Sequence, residues 1–164
     1  MKGPLFYSKI LLFGEYGIIE DSKGLSIPYN FFKGALKIPE TPSEISKNSN
    51  SILFDFCNHL KQTKGLSDLD LILFEKHLKE GLYFDSSIPK GYGVGSSGAL
   101  VAAVYDKYSN NKITVLENLT REKLLKLKTI FSKMESFFHG KSSGLDPLNS
   151  YCLLYTSDAA DDMQ

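Results

Sequence analysis

Residues 88–100 read Ile88-Pro89-Lys90-Gly91-Tyr92-Gly93-Val94-Gly95-Ser96-Ser97-Gly98-Ala99-Leu100. Four glycines and two serines fall within the eight positions from Gly91 to Gly98. An apolar pattern at helical spacing follows at once, with Leu100, Val101, Val104 and Tyr108. Glycines let backbone N–H groups turn inward and let a ligand come close. A helix that starts there adds its unpaired N–H groups and the positive end of its dipole. The expected guest is an anion, phosphate foremost, with serine hydroxyls within reach of phosphate or a metal. The stretch therefore points to nucleotide chemistry.

Several readings of this loop compete. The P-loop pattern ends in Gly-Lys-Ser/Thr, which is absent here. A dinucleotide pattern, G-x-G-x-x-G, is present as Gly93, Gly95 and Gly98, with Glu117 nineteen residues further on. That reading places Glu117 at the end of a parallel strand beside the first one. Against it, Pro89-Lys90 separates the glycines from the preceding strand-like run. A purely structural reading is a glycine-rich turn capped by Ser96 before a core helix. The remaining reading is a Pro-x-Gly-x-Gly-x-Gly-Ser-Ser-small loop. It resembles the phosphate loop of the GHMP kinases, named for galactokinase, homoserine, mevalonate and phosphomevalonate kinases.

The chain has 164 residues, enough for one domain with its own core. It is 42% apolar and 23% charged with a formal net charge of zero, so bulk electrostatics favour neither nucleic acid nor an anionic membrane. No run of 18 apolar residues and no signal-peptide layout is present, and Cys57 and Cys152 lack metal or redox spacing. The expected compartment is the cytoplasm.

Leu5 to Phe13 reads as a buried strand around a single Lys9. Phe31 to Ile38 reads as a second strand, despite Gly34. Thr41 to Ser51 reads as a loop or the approach to a helix carrying Ile52, Leu53, Phe56 and Leu60. Leu69 to Phe74 is too short an apolar run to assign by periodicity. Gly81 to Ile88 alternates as a strand leading into the glycine loop. Leu124, Leu127, Phe131, Met134 and Phe138 predict a helix over 120–139, with Gly140 as its C-terminal cap. His59, His77 and Cys57 receive no functional role.

Two further segments fit the kinase resemblance. Ser8-Lys9-Ile10-Leu11-Leu12-Phe13-Gly14-Glu15-Tyr16 resembles the Lys-x-x-Leu-x-Gly-Glu-His motif of mevalonate kinases, with Tyr16 in place of histidine. Phosphomevalonate kinases often carry tyrosine there, so this position leaves the substrate open. Without the resemblance, a lysine in a buried strand needs a partner for its charge, or an edge position that lets it reach water. Glu135-Ser136-Phe137-Phe138-His139-Gly140-Lys141-Ser142-Ser143-Gly144-Leu145-Asp146 resembles Glu-x-x-x-His-Gly-x-Pro-Ser-Gly-x-Asp, with the same spacing of eleven from Glu to Asp. Ser142 replaces the usual proline and is expected to loosen the turn. Taken alone, Glu135 is a carboxylate flanking an apolar helix face, and Asp146 is a turn aspartate before Pro147.

The resemblance, to a bacterial mevalonate kinase most of all, implies an α/β fold of the α+β type. This is the ribosomal protein S5 domain 2-like N-terminal domain of GHMP kinases, with a mainly antiparallel sheet covered by helices. It implies ATP-dependent phosphorylation of the primary hydroxyl of mevalonate, a step of isoprenoid synthesis, with ATP and Mg²⁺ as cofactors. Lys90, Gly91, Gly93, Val94, Gly95, Ser96, Ser97 and Gly98 would bind ATP, and Ser97 with Glu135 would hold Mg²⁺. Asp146 would take the substrate's hydroxyl proton, and Lys9 would pair with it and offset negative charge. Glu15 and Tyr16, with Lys9 and Asp146, would face the substrate. His139 reads as a hydrogen-bonded histidine at a helix end. Alternatives are another alcohol or phosphate acceptor such as phosphomevalonate, a dinucleotide-dependent oxidoreductase, and a non-catalytic nucleotide-binding fragment.

Cys152-Leu153-Leu154-Tyr155-Thr156-Ser157-Asp158-Ala159-Ala160-Asp161-Asp162 resembles the translated read-through of a transposase adapter used in short-read sequencing. Residues 1–151 are therefore expected to be the native kinase domain and 152–164 a foreign, poorly packed tail. On that expectation a C-terminal domain is missing, the chain alone is inactive, and the face that domain would cover favours self-association.

Overall fold

A computed structural model describes residues 3–13, 25–115 and 119–152. Strand β1 spans Phe6–Phe13, β2 Leu25–Lys37 and β3 Tyr83–Ser86. They form one antiparallel sheet in the order β1-β2-β3. Of the helices α1 (Glu44–Gln62), α2 (Leu71–Lys79), α3 (Ser96–Tyr108) and α4 (Arg121–His139), α1 and α3 pack on the sheet and α2 and α4 pack on them; a fifth, α5, covers 145–152. The architecture is α+β, as the resemblance implied. No parallel strand pair occurs among the described residues, so the βαβ unit demanded by the dinucleotide reading is not formed. Residues 112–115 are not a strand, and Glu117 lies outside the described residues, as does the tail from 153 onward.

Helix α3 lies at the centre. Gly98 through Tyr105 are all buried, which explains why its sequence is apolar on every side rather than striped. It packs across β1 and β2 and against α4. Leu53, Phe56 and Leu60 of α1, Phe74 and Leu78 of α2, and Leu127, Phe131 and Met134 of α4 complete the core with Tyr151. Tyr105, Phe131 and Tyr151 meet edge to face in pairs, with ring centroids 5.1–5.6 Å apart. No helix is long and apolar enough to cross a membrane among the described residues.

Three elements differ from the local reading. Strand β2 begins at Leu25 rather than Phe31, because Leu25 to Tyr29 pair with Phe13 to Ser8 despite Pro28. Helix α1 begins at Glu44, eight residues before Ile52. Ser43 caps it through the N–H of Ser46, and the Ser46 hydroxyl accepts from the N–H of Ser43. The side chains of its Ser/Asn-rich start are taken up by β3 and the end of α2: Ser49 Oγ accepts from Phe84 N–H at 3.0 Å, and Asn50 Nδ2 donates to the carbonyls of Leu78 in α2 and Leu82 just before β3. The unassigned run after Leu69 is helix α2, started by Asp70, whose carboxylate accepts from Leu73 N–H.

The outer edge of β1 is occupied by two pieces of chain. Lys9 N–H donates to Val94 O at 3.0 Å, and Ser150 Oγ donates to Tyr7 O at 3.1 Å. Ser8 and Lys9, neighbours on opposite faces of the strand, are both buried. Ser8 Oγ donates to Tyr29 O at 2.8 Å, and the Lys9 stem lies under Gly95 of the glycine loop.

Candidate active site

The glycine loop ends on the N-terminus of α3. Gly95 is the N-cap, in the left-handed region at φ 85°, and it provides no side-chain cap. The expected Ser96 cap is therefore not formed; Ser96 is the first helical residue. The start of the helix, at Ser96 and Ser97, borders a cleft of about 770 Å³, and its first-turn N–H groups have no side-chain cap. Lys90, Gly91, Gly93, Val94, Gly95, Ser96 and Ser97 line that cleft, together with His139 and Asp146. Gly98, expected with them, does not line it. A side chain on Gly98 would press on the backbone of Asp146 and Pro147, at 2.7 and 2.9 Å. Its role is close packing of α3 against α5.

Gly95 also serves packing. A Cβ there would lie 3.1 Å from Lys9 Cγ, so the missing side chain leaves room for the lysine rather than for a ligand. Lys9 runs beneath the loop, and its Nζ lies 2.8 Å from Asp146 Oδ1, with the lysine side chain 7% exposed and the aspartate 35%. Lys9 sits behind Asp146, and only Asp146 of the two lines the cleft.

Glu135 and Asp146 come together because the chain reverses after α4. Gly140 caps α4, its N–H donating to Ser136 O at 2.8 Å. Gly144, at φ 73°, then lies against the backbone of Lys128 and Ser132, where any Cβ would overlap. Helix α5 starts from that contact and delivers Asp146 to Lys9.

Glu135 is 3% exposed. Ser97 Oγ lies 3.2 Å from its Oε1, and Ser142 Oγ donates to its Oε2 in a short contact. Burial pushes the Glu135 carboxyl above its ordinary value. The hydrogen bond from Ser142 opposes that shift, the charge of Asp146 adds to it, and the Ser97 bond opposes it again. His139 Nε2 lies 2.9 Å from Ser97 Oγ, a hydrogen bond at the helix end. Glu15 and Tyr16 lie outside the described residues.

The opposite wall is apolar. Ile45 and Ile52 of α1, Phe84 of β3, and Phe137 and Phe138 of α4 line it, with Asn48 and Ser49 at its polar margin. Motif reading did not reach this wall. The adjacent Phe137-Phe138 pair, only one of which fits the helix stripe, was its available signal. One side of the cleft thus offers the glycine loop and Asp146, with Lys9 behind it, and the other offers apolar contact.

The family model for the GHMP kinases N terminal domain matches residues 53–154. The match includes the glycine loop, Glu135 and Asp146, and begins after Lys9. No curated protein and no solved structure matches the chain.

Proposed function

The chain belongs to the GHMP kinase family, and we propose that it transfers the γ-phosphoryl group of ATP to the primary hydroxyl of mevalonate. The observation that carries this reading is the Lys9–Asp146 pair at 2.8 Å, whose aspartate lines one cleft with Ser97 and the N-terminus of α3. The loop N–H groups would hold the phosphates. Asp146 would accept the proton of the acceptor hydroxyl while that oxygen forms its bond to the γ-phosphorus and the bond to ADP breaks. Lys9 would offset negative charge as it develops.

Ser97 and Glu135 fit Mg²⁺ as a pair. They are a hydroxyl that lines the cleft and a buried carboxylate behind it, in contact at 3.2 Å. A partial oxygen shell suits an ion that keeps several waters and completes its sphere with substrate phosphates. When bound, the ion supplies neutralisation of phosphate charge.

The test is ADP release by a complete version of the enzyme, with mevalonate, phosphomevalonate and other small alcohols as acceptors. Mevalonate is expected to give the highest kcat/KM; a higher value for another acceptor moves the assignment to that substrate. Asp146→Asn is expected to lower kcat ~100-fold or more, within the range of general base catalysis, while ATP affinity changes little. Equal loss of both would argue against a base role.

A further inference from the structure

Ser142 stands in the turn between α4 and α5, where the resembling motif carries proline. Its backbone and its hydroxyl are both tied into the turn. Its carbonyl accepts from Ser132 Oγ at 2.6 Å, and its hydroxyl accepts from Gly144 N–H at 3.0 Å. The same hydroxyl donates to Glu135 Oε2. The directions follow from chemistry. A backbone N–H can only donate, so the Gly144 contact uses an acceptor lone pair of Ser142. The one proton of Ser142 is left for the carboxylate.

The other serine on Glu135 is placed differently. Ser97 Oγ has one proton and two neighbours, Glu135 Oε1 at 3.2 Å and His139 Nε2 at 2.9 Å. It can donate to only one of them at a time. Ser97 keeps its proton on Oε1 when His139 Nε2 carries a hydrogen and turns it to His139 when that nitrogen is bare, so the hold on Oε1 depends on the His139 tautomer, whereas the hold on Oε2 is fixed by the turn. Oε1 is also the oxygen on the side of Ser97, which lines the cleft.

We propose that Ser142 is a positioning residue that clamps Glu135 Oε2 and so presents Oε1 to the metal. This rests on the reading above that Glu135 and Ser97 hold Mg²⁺. Proline has no hydroxyl, so the clamp belongs to this chain's own residue and is not supplied by the motif. Partners that orient a metal ligand govern affinity by fixing the ligand's geometry before the ion arrives.

The probe is Mn²⁺ in the presence of ADP, with free Mn²⁺ followed by electron paramagnetic resonance on the full 164-residue chain. Ser142→Ala is expected to weaken Mn²⁺ binding ~10-fold, the usual scale for loss of such a partner. Ser142→Thr keeps a hydroxyl and is expected to stay within about twofold of the unsubstituted chain. Ser142→Pro removes the hydroxyl while keeping the motif's own turn residue; it is expected to match Ser142→Ala, and it decides the matter should the alanine variant not fold. Unchanged binding in Ser142→Ala or Ser142→Pro overturns the proposal. So does a threonine variant as weak as alanine, since the hydroxyl would then not be the cause. Glu135→Gln separates the two levels: if the unsubstituted chain and Glu135→Gln bind Mn²⁺ equally, or neither binds, the metal reading itself is wrong and the proposal falls with it.

Discussion

Lys9 Nζ and Asp146 Oδ1 lie 2.8 Å apart although β1 and α5 come from opposite ends of the described chain. The lysine is 7% exposed and the aspartate 35%, so the pair is asymmetric toward water. Removing the aspartate strands a buried ammonium. Removing the lysine leaves a carboxylate that water can still reach. Asp146→Asn is therefore expected to cost roughly 2 kcal/mol, below the range for a fully buried pair because Asp146 is partly solvated. Lys9→Met, an apolar replacement of similar length, is expected to cost less. Urea unfolding of both variants checks the order; a Lys9→Met cost equal to or above that of Asp146→Asn would contradict this asymmetry.

Glu135 links stability to pH. Its carboxyl is held above the ordinary value chiefly by burial, so the native state keeps this proton at pH values where the unfolded chain has lost it. The native state then binds more protons, and stability falls as pH rises from the unfolded value through the native one. The contribution is fully present below the ordinary glutamate range and lost above the raised native value. Glu135→Gln is expected to flatten that part of the profile and to be the more stable protein at its upper end. Unfolding midpoints from pH 4 to pH 8, a span set to bracket about two carboxylate shifts, give the comparison. A glutamine variant that is less stable than the parent at every pH would refute this.

Gly98 and Gly144 are packing glycines. Alanine in a helix normally gains up to ~1 kcal/mol over glycine. At Gly98 the new Cβ would meet the Asp146 and Pro147 backbone, which cannot rotate away. Gly98→Ala is expected to destabilise by about 1–3 kcal/mol, the usual cost of overpacking. Gly144→Ala adds a left-handed φ to a backbone overlap and is expected to cost ~3 kcal/mol or more. Gly91→Ala, with open space around its Cβ, should cost only ~1 kcal/mol for its positive φ. Denaturant titration ranks the three, and Gly91→Ala as the most damaging would defeat the prediction.

Gly95 is expected to act through Lys9. A Cβ there presses on the lysine stem, whereas Gly93, also at positive φ, has nothing nearby. Gly95→Ala should therefore interact with Asp146→Asn in a double-mutant cycle by about 0.5 kcal/mol or more, and Gly93→Ala should add independently. Additivity at both positions would show that Gly95 does not support the ion pair.

Much of the site was readable along the chain. The glycine loop, the α4 stripe ending at Gly140 and the strand around Lys9 follow from local rules, because turn glycines, helical periodicity and strand composition act over a few residues. The start of α1 was not readable. Ser49 and Asn50 look like loop residues until Phe84, Leu78 and Leu82 arrive to take their hydrogen bonds. Likewise β2 extends across Pro28 because β1 offers a partner. Gly95, Gly98 and Gly144 read alike as permissive residues. Only the fold shows that Gly95 makes room for Lys9, Gly98 for α5 and Gly144 for α4. The sequence by itself determined which chemical groups are available and their order; the tertiary structure decided which of them meet. That division has a physical cause: a backbone angle is chosen by its neighbours in sequence, whereas a close approach or a buried charge pair is chosen by packing between distant segments.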